Sequence, residues 1–213
     1  YDCIFWNYCS RHLPTPSIFD LYRMNFSKKV ALYHVGQTAF EDLDVCSLTD
    51  KQQMQVACTL NSEAYINKNG IKQFSDTLSY PMYFLDFETE QPVIPKYKGT
   101  HPYQQVPFQY SLHIIEKENG PLLHNEFLGD SVADPRRALA EQLIKDIPMG
   151  VCSTAYNMSF ERTVLKHLAE EFPDISEHLM DIHENMHDLM VPFQKQYYYS
   201  KAMQGSYSIK YVL

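Results

Sequence analysis

The feature that most narrows the folds open to this chain is the run Tyr83-Phe84-Leu85-Asp86-Phe87-Glu88-Thr89. Apolar and aromatic residues packed this densely into a short segment suit a central, doubly covered strand. Side chains two apart on a strand share a face, so Asp86 and Glu88 project together. Two carboxylates held side by side in a low-dielectric setting repel each other and lose hydration unless a cation neutralises them. Mg²⁺ or Mn²⁺, which prefer oxygen ligands, would resolve that conflict. The competing reading places Glu88 and Thr89 in a loop past the strand, with both acids simply solvated. Spacing alone does not separate the two readings. Position favours a site, because both acids stand at the carboxyl end of the most hydrophobic strand, where open α/β sheets carry their sites.

The texture of the chain changes at Tyr80 and Pro81. Before that point, apolar spacing of three and four predicts helices over Ile18 to Phe26, Thr38 to Leu43, Thr49 to Thr59 and Glu63 to Phe74, with Thr49 as a cap. Residues 1–79 are therefore expected to form a small helical unit, and residues 80–213 an α/β domain. In the second region Val106 to Ile115 and His124 to Leu128 read as strands of a hairpin, turned at Glu118, Asn119 and Gly120. Asp134 and Pro135 open a helix buried through Leu139, Leu143, Ile144 and Ile147. Met149 to Ala155 reads as a buried strand, and Ser159 to Phe172 as a helix ended by Pro173. The order strand, strand, strand, helix, strand, helix predicts a mixed sheet with a hairpin start and crossover helices, the order of an RNase H-like α/β fold.

A second candidate lies in Ala155-Tyr156-Asn157-Met158-Ser159-Phe160-Glu161, past an apolar strand and at a helix start. A carboxylate in a first helical turn is also favoured by the helix dipole alone, and Asn157 or Ser159 can serve as an ordinary cap.

These two segments resemble the first and second motifs of the DEDD (DnaQ-like) 3′→5′ exonucleases. Together with Pro107-Phe108-Gln109-Tyr110-Ser111-Leu112-His113 and Gly205-Ser206-Tyr207-Ser208-Ile209-Lys210, they are similar to an uncharacterised bacterial domain family of that kind. The resemblance implies a two-metal hydrolysis of phosphodiester bonds at the 3′ end of single-stranded DNA or RNA. It implies Asp86, Glu88 and Glu161 as metal ligands, with Thr89, Asn157 and Phe160 along the substrate path. Glu161 stands where those enzymes carry Asp. Their final motif, a Tyr or His a few residues before a fourth acid, has no counterpart here, since no acid follows Asp188. Asp188, in His187-Asp188-Leu189-Met190, resembles instead a structural Asp that follows the second motif. The chain is accordingly expected to be cut from a larger protein, and to have lost its last helix.

Weaker likenesses and competing motifs complete the reading. Cys3-Ile4-Phe5-Trp6-Asn7-Tyr8-Cys9 resembles the end of the cysteine cluster of RecB-like nucleases, where four thiolates hold an iron–sulfur cluster; Cys3 and Cys9 alone cannot hold one. Leu32 to Leu43, with Gly36, faintly resembles a helix-hairpin-helix unit. His183-Glu184-Asn185-Met186-His187 matches the zinc-protease pattern H-E-x-x-H, but residues 188–213 offer no Glu or His as third ligand, and the segment reads equally as a core stripe. Tyr197, Tyr198 and Tyr199, between Lys195 and Lys201, could stack bases in a non-catalytic nucleic-acid-binding module, or pack together as structure. The net charge of −8 argues against a broad phosphate-tracking basic surface. Five scattered cysteines fit reduced thiols, and no long apolar run is present, so the expectation is a cytoplasmic protein without a membrane span.

Overall fold

A computed structural model describes residues 3–130 and 132–213. The chain divides into two units: Tyr1–Gln73 with Met190–Leu213, and Phe74–Leu189. The boundary lies close to the change of texture at Tyr80, but the last residues group with the helical unit rather than with the sheet.

The first unit opens with α1 (Trp6–Cys9), α2 (Phe26–His34) and α3 (Asp50–Asn61), followed by β1 (Tyr65–Ile66) and α4 (Lys68–Ser75), which spans the boundary. Asn25 caps α2 by accepting from the Ser27 amide at 2.8 Å, and the Gln52 side chain accepts from the Thr49 amide at 3.0 Å at the start of α3. The helix expected over Ile18 to Phe26 is only a 3₁₀ turn, Ile18–Asp20. Buried Gln55 explains this, because its carboxamide accepts from the Tyr22 amide at 2.7 Å and donates to the Asp20 carbonyl at 2.9 Å. Backbone groups satisfied by a side chain need no helix. The segment Leu32 to Leu43 forms no helical hairpin either: α2 ends at His34, Gly36 turns at φ +84°, and only a 3₁₀ turn, Phe40–Asp42, follows.

The second unit is a five-stranded mixed sheet in the order β4-β3-β2-β5-β6. β3 (Val106–Ile115) and β4 (Leu122–Leu128) form the expected hairpin, with Asn119 at φ +57° in the turn, and β2 (Met82–Glu90) pairs antiparallel with β3 to extend it into a meander. α5 (Arg136–Asp146) follows; the Asp134 carboxylate accepts from the Arg136 amide at 3.1 Å and Pro135 already has helical torsions. β5 (Cys152–Ala155) then pairs parallel to β2, and α6 (Ser159–Glu171) with α7 (Ser176–Glu184) cross over to β6 (Met186–Asp188), parallel to β5. Tyr83, Leu85 and Phe87 point into one core with Leu112, Leu139, Leu143, Val164 and Leu165. Each large side chain removed from water there stabilises by roughly 1.5–3 kcal/mol. β2 is central, as expected, yet it is not doubly covered along its length: Asp86 and Glu88 are exposed on the face opposite that core. Among the described residues no helix is long and apolar enough to cross a membrane.

The chain then rejoins the first unit through α8 (Val191–Gln194), β7 (Tyr198–Tyr199) and α9 (Ile209–Val212). β7 pairs antiparallel with β1, which is why Glu63 to Phe74 begins as a strand, with α4 starting only at Lys68. The tyrosines here pack against neighbours within the unit. The Tyr197 ring fills the space beside Gly70, where a Cβ would meet it at 2.5 Å, and Tyr198 sits edge-on to Phe193. Tyr199 is buried, its hydroxyl accepting from the Gly205 amide at 2.9 Å.

Candidate functional site

Parallel strands end together, and here they bring three carboxylates to one edge. The pairing of β5 with β2 runs from Met82↔Cys152 and ends at Phe84↔Thr154, so Asp86 stands just past the paired segment. Ala155, the last residue of β5, lies opposite Asp188, the last of β6. Between them the turn Tyr156-Asn157-Met158 reverses into α6, whose first turn carries Glu161. Asn157 sits at φ +65°, a left-handed conformation that Asn tolerates, and its amide donates to Asp188 Oδ1 at 2.9 Å. The Asn157 side chain in turn accepts from the Ser159 hydroxyl at 3.1 Å.

The electrostatic strain lies where the sequence did not place it. Asp86 and Glu88 are exposed, so neither bears the desolvation cost argued for a covered strand. Glu161 bears it instead: it is only 4% exposed, and its Oε2 has no hydrogen-bond partner. Burial, with the neighbouring charges of Asp86 and Asp188 adding to it, pushes the Glu161 carboxyl up to about 7 against the opposing pull of its own backbone amide. Burial also raises the Tyr156 phenol, and the Asp188 charge adds to that shift.

The donor chemistry suits a hard divalent cation. All the donors are carboxylate oxygens, and one of them is buried and unpaired, a state that costs several kcal/mol without compensation. Among the described residues, however, no three His, Cys, Asp or Glu side chains already converge closely enough to hold an ion.

Around these acids, the Thr89 hydroxyl accepts from the Gln105 amide at 3.2 Å, just past an irregularity in the β2–β3 register between Glu88 and Thr89. Phe160 is 36% exposed in the first turn of α6. The H-E-x-x-H motif does not form its helical pair. α7 ends at Glu184, Asn185 terminates it, and Met186–Asp188 is a strand, so His183 and His187 do not lie one helical turn apart. His183 is held instead by Arg162, whose Nε donates to it at 3.1 Å. The thiols of Cys3 and Cys9 are exposed and free.

Two features escaped the sequence reading. Asp188 resembles only a structural Asp in the sequence, and its charge on Glu161 depends on strand pairing that spacing does not reveal. The segment between β2 and β3 carries a polar cleft that no motif announces. No curated protein and no solved structure matches the chain. Residues 83–208, more than half of it, do match one family model, and the chain belongs to the family described as a domain of unknown function (DUF2779).

Proposed function

We propose that the chain carries the site of a metal-dependent 3′→5′ exonuclease acting on single-stranded DNA or RNA. The observation that carries this reading is the buried, unpaired Glu161 oxygen beside the charges of Asp86 and Asp188. A protein seldom retains such a group without a use for it, and strongly perturbed carboxyls gather at functional sites.

In this reading Asp86 and Glu161 hold divalent ions, which supply an activated water and neutralise charge at phosphorus. Glu88, two residues further along the same exposed strand face, orients the attacking water and takes up its proton. Phe160 offers a partly exposed ring on which a terminal base can stack. Asn157 and Thr89 border the path of the strand. A net charge of −8 leaves little for long-range phosphate attraction, which suits recognition of a strand end at a compact site better than tracking along a duplex.

The test is incubation of the chain with 5′-labelled single-stranded DNA and RNA in Mn²⁺. Shortening from the 3′ end that is abolished in Asp86→Asn is expected. Intact oligonucleotides at high protein concentration would remove the catalytic claim. Binding without shortening would point to a non-catalytic module on the same fold.

A further inference from the structure

A polar cleft of about 470 Å³ opens between the segment after β2 and the last turns of α6. It is linked to the carboxylate edge by one chain neighbour of β2, one hydrogen bond and a shared helix. Gln91 follows the last residue of β2, and Gln105, also in the lining, donates to Thr89, the residue after Glu88. His167 and Glu170 face it from α6, the helix that begins at Glu161. A rise of 1.5 Å per residue puts these two about 9–14 Å along the helix from Glu161, a reach of about one or two nucleotides.

The lining chemistry excludes most ligands. Among the described residues that line it there is no Lys or Arg for an isolated phosphate, and Arg136, in the small adjoining void, is already held by Asp134 at 2.7 Å and by Glu171 at 3.4 Å. An aliphatic group would leave the Gln91 amide, the Gln104 NH₂ and the His167 imidazole without partners. What fits is a flat, uncharged ring with hydrogen-bonding edges. Tyr103 supplies a face for it, being 65% exposed, with its backbone fixed at φ +61° by donation to the Pro92 carbonyl at 3.0 Å. Gln104 is likewise fixed, its Oε1 accepting from the His101 amide at 3.0 Å, which directs the side-chain NH₂ elsewhere. Glu170 is paired with Lys166 only at 3.9 Å and can accept from an amino group.

We propose that this cleft is a base-reading subsite, occupied by a nucleobase one or two positions from the 3′ end. The base stacks on Tyr103, and Glu170 and the glutamine amides read its edge. A carboxylate accepts from the cytosine amino group and finds only a carbonyl at the same position of thymine or uracil. Amino-bearing bases are therefore preferred. The substrate assignment rests on the exonuclease reading; the preference for a base does not.

The test uses free deoxycytidine and thymidine, which carry no phosphate, titrated into the chain in chelator and followed by amide resonances. Deoxycytidine is expected to shift resonances of residues 101–105 and 167–171 and to bind at least fivefold more tightly than thymidine. Tyr103→Ala removes the stacking face and weakens both nucleosides, whereas Glu170→Gln removes the carboxylate and abolishes the difference between them; both positions are exposed, so the unfolding midpoint stays unchanged. Equal affinities, or shifts confined to other residues, overturn the proposal. In a parallel arm, Mn²⁺-dependent trimming compares oligonucleotides differing only in the second base from the 3′ end. No trimming with the nucleoside preference intact removes the exonuclease reading and leaves the base site standing; trimming without a nucleoside preference does the reverse.

Discussion

The Asp188 carboxylate accepts from the Asn157 amide at 2.9 Å, and this bond ties the last residue of β6 to the left-handed turn that launches the helix bearing Glu161. Asp188 thus positions the turn and at the same time presses its charge on Glu161. Asp188→Ala removes the acceptor and should cost about 1–3 kcal/mol in urea unfolding, as expected for a charge-assisted bond. Asp188→Asn keeps an acceptor, so its loss should be smaller by at least half. Equal losses in the two variants would show that the turn does not depend on this bond.

Glu161 should make stability fall with pH in the absence of metal. Its folded-state carboxyl titrates at about 7, above the ordinary value of 4.5, so the folded chain binds this proton more tightly than the unfolded chain. The associated stability is complete below about pH 4.5 and is lost as pH rises through 7. The full swing is roughly 3 kcal/mol, at 1.36 kcal/mol per pKa unit. Glu161→Gln does not ionise, so whatever constant cost its amide brings, the gap between variant and wild type should move in the variant's favour between pH 4.5 and 8. Parallel stability profiles in chelator would contradict the burial of this carboxyl.

Tyr110 is fully buried, and its hydroxyl donates to Asp146 at 2.5 Å, joining the middle of β3 to the end of α5. Burial and the Asp146 carboxylate both hold the phenol protonated far above its ordinary range. Tyr110→Phe keeps the ring packing against Phe87 and Phe127 but deletes the donor, so it should destabilise by about 1.5–3 kcal/mol. A denaturant midpoint unchanged from wild type would show that water replaces the tyrosine without loss.

What was legible in the sequence is local. The β3–β4 hairpin follows from alternation around Asn119 and Gly120, and α6 follows from Val164, Leu165 and Leu168 at helical spacing. The strand carrying Asp86 and Glu88 announced itself by apolar density. What was not legible depends on partners distant along the chain. The charges of Asp86 and Asp188 reach Glu161 only because parallel pairing ends β2, β5 and β6 near one helix start. The buried amide of Gln55 converts an apparent helix into a turn, and β1 exists only because β7 pairs with it from the far end of the chain. His183 and His187 look like a helical pair until sheet pairing takes Met186–Asp188 out of the helix.

The same carboxylate edge sets the outcome of metal addition. If Glu161 is buried and unpaired because it is built to meet a cation, Mn²⁺ should raise the unfolding temperature at pH 8, where the carboxyl is ionised, and have much less effect at pH 5, where protonation competes with the ion. Binding at 100 times the dissociation constant adds about 2.7 kcal/mol. For a chain of this size that corresponds to roughly 5–10 °C, at about 2–4 °C per kcal/mol. Asp86→Asn and Glu161→Gln should each abolish the rise, whereas His183→Ala and His187→Ala should leave it intact, because neither imidazole belongs to the carboxylate edge. A shift that survives in Asp86→Asn and Glu161→Gln but disappears in the histidine variants would place the ion elsewhere and detach the perturbed glutamate from metal chemistry.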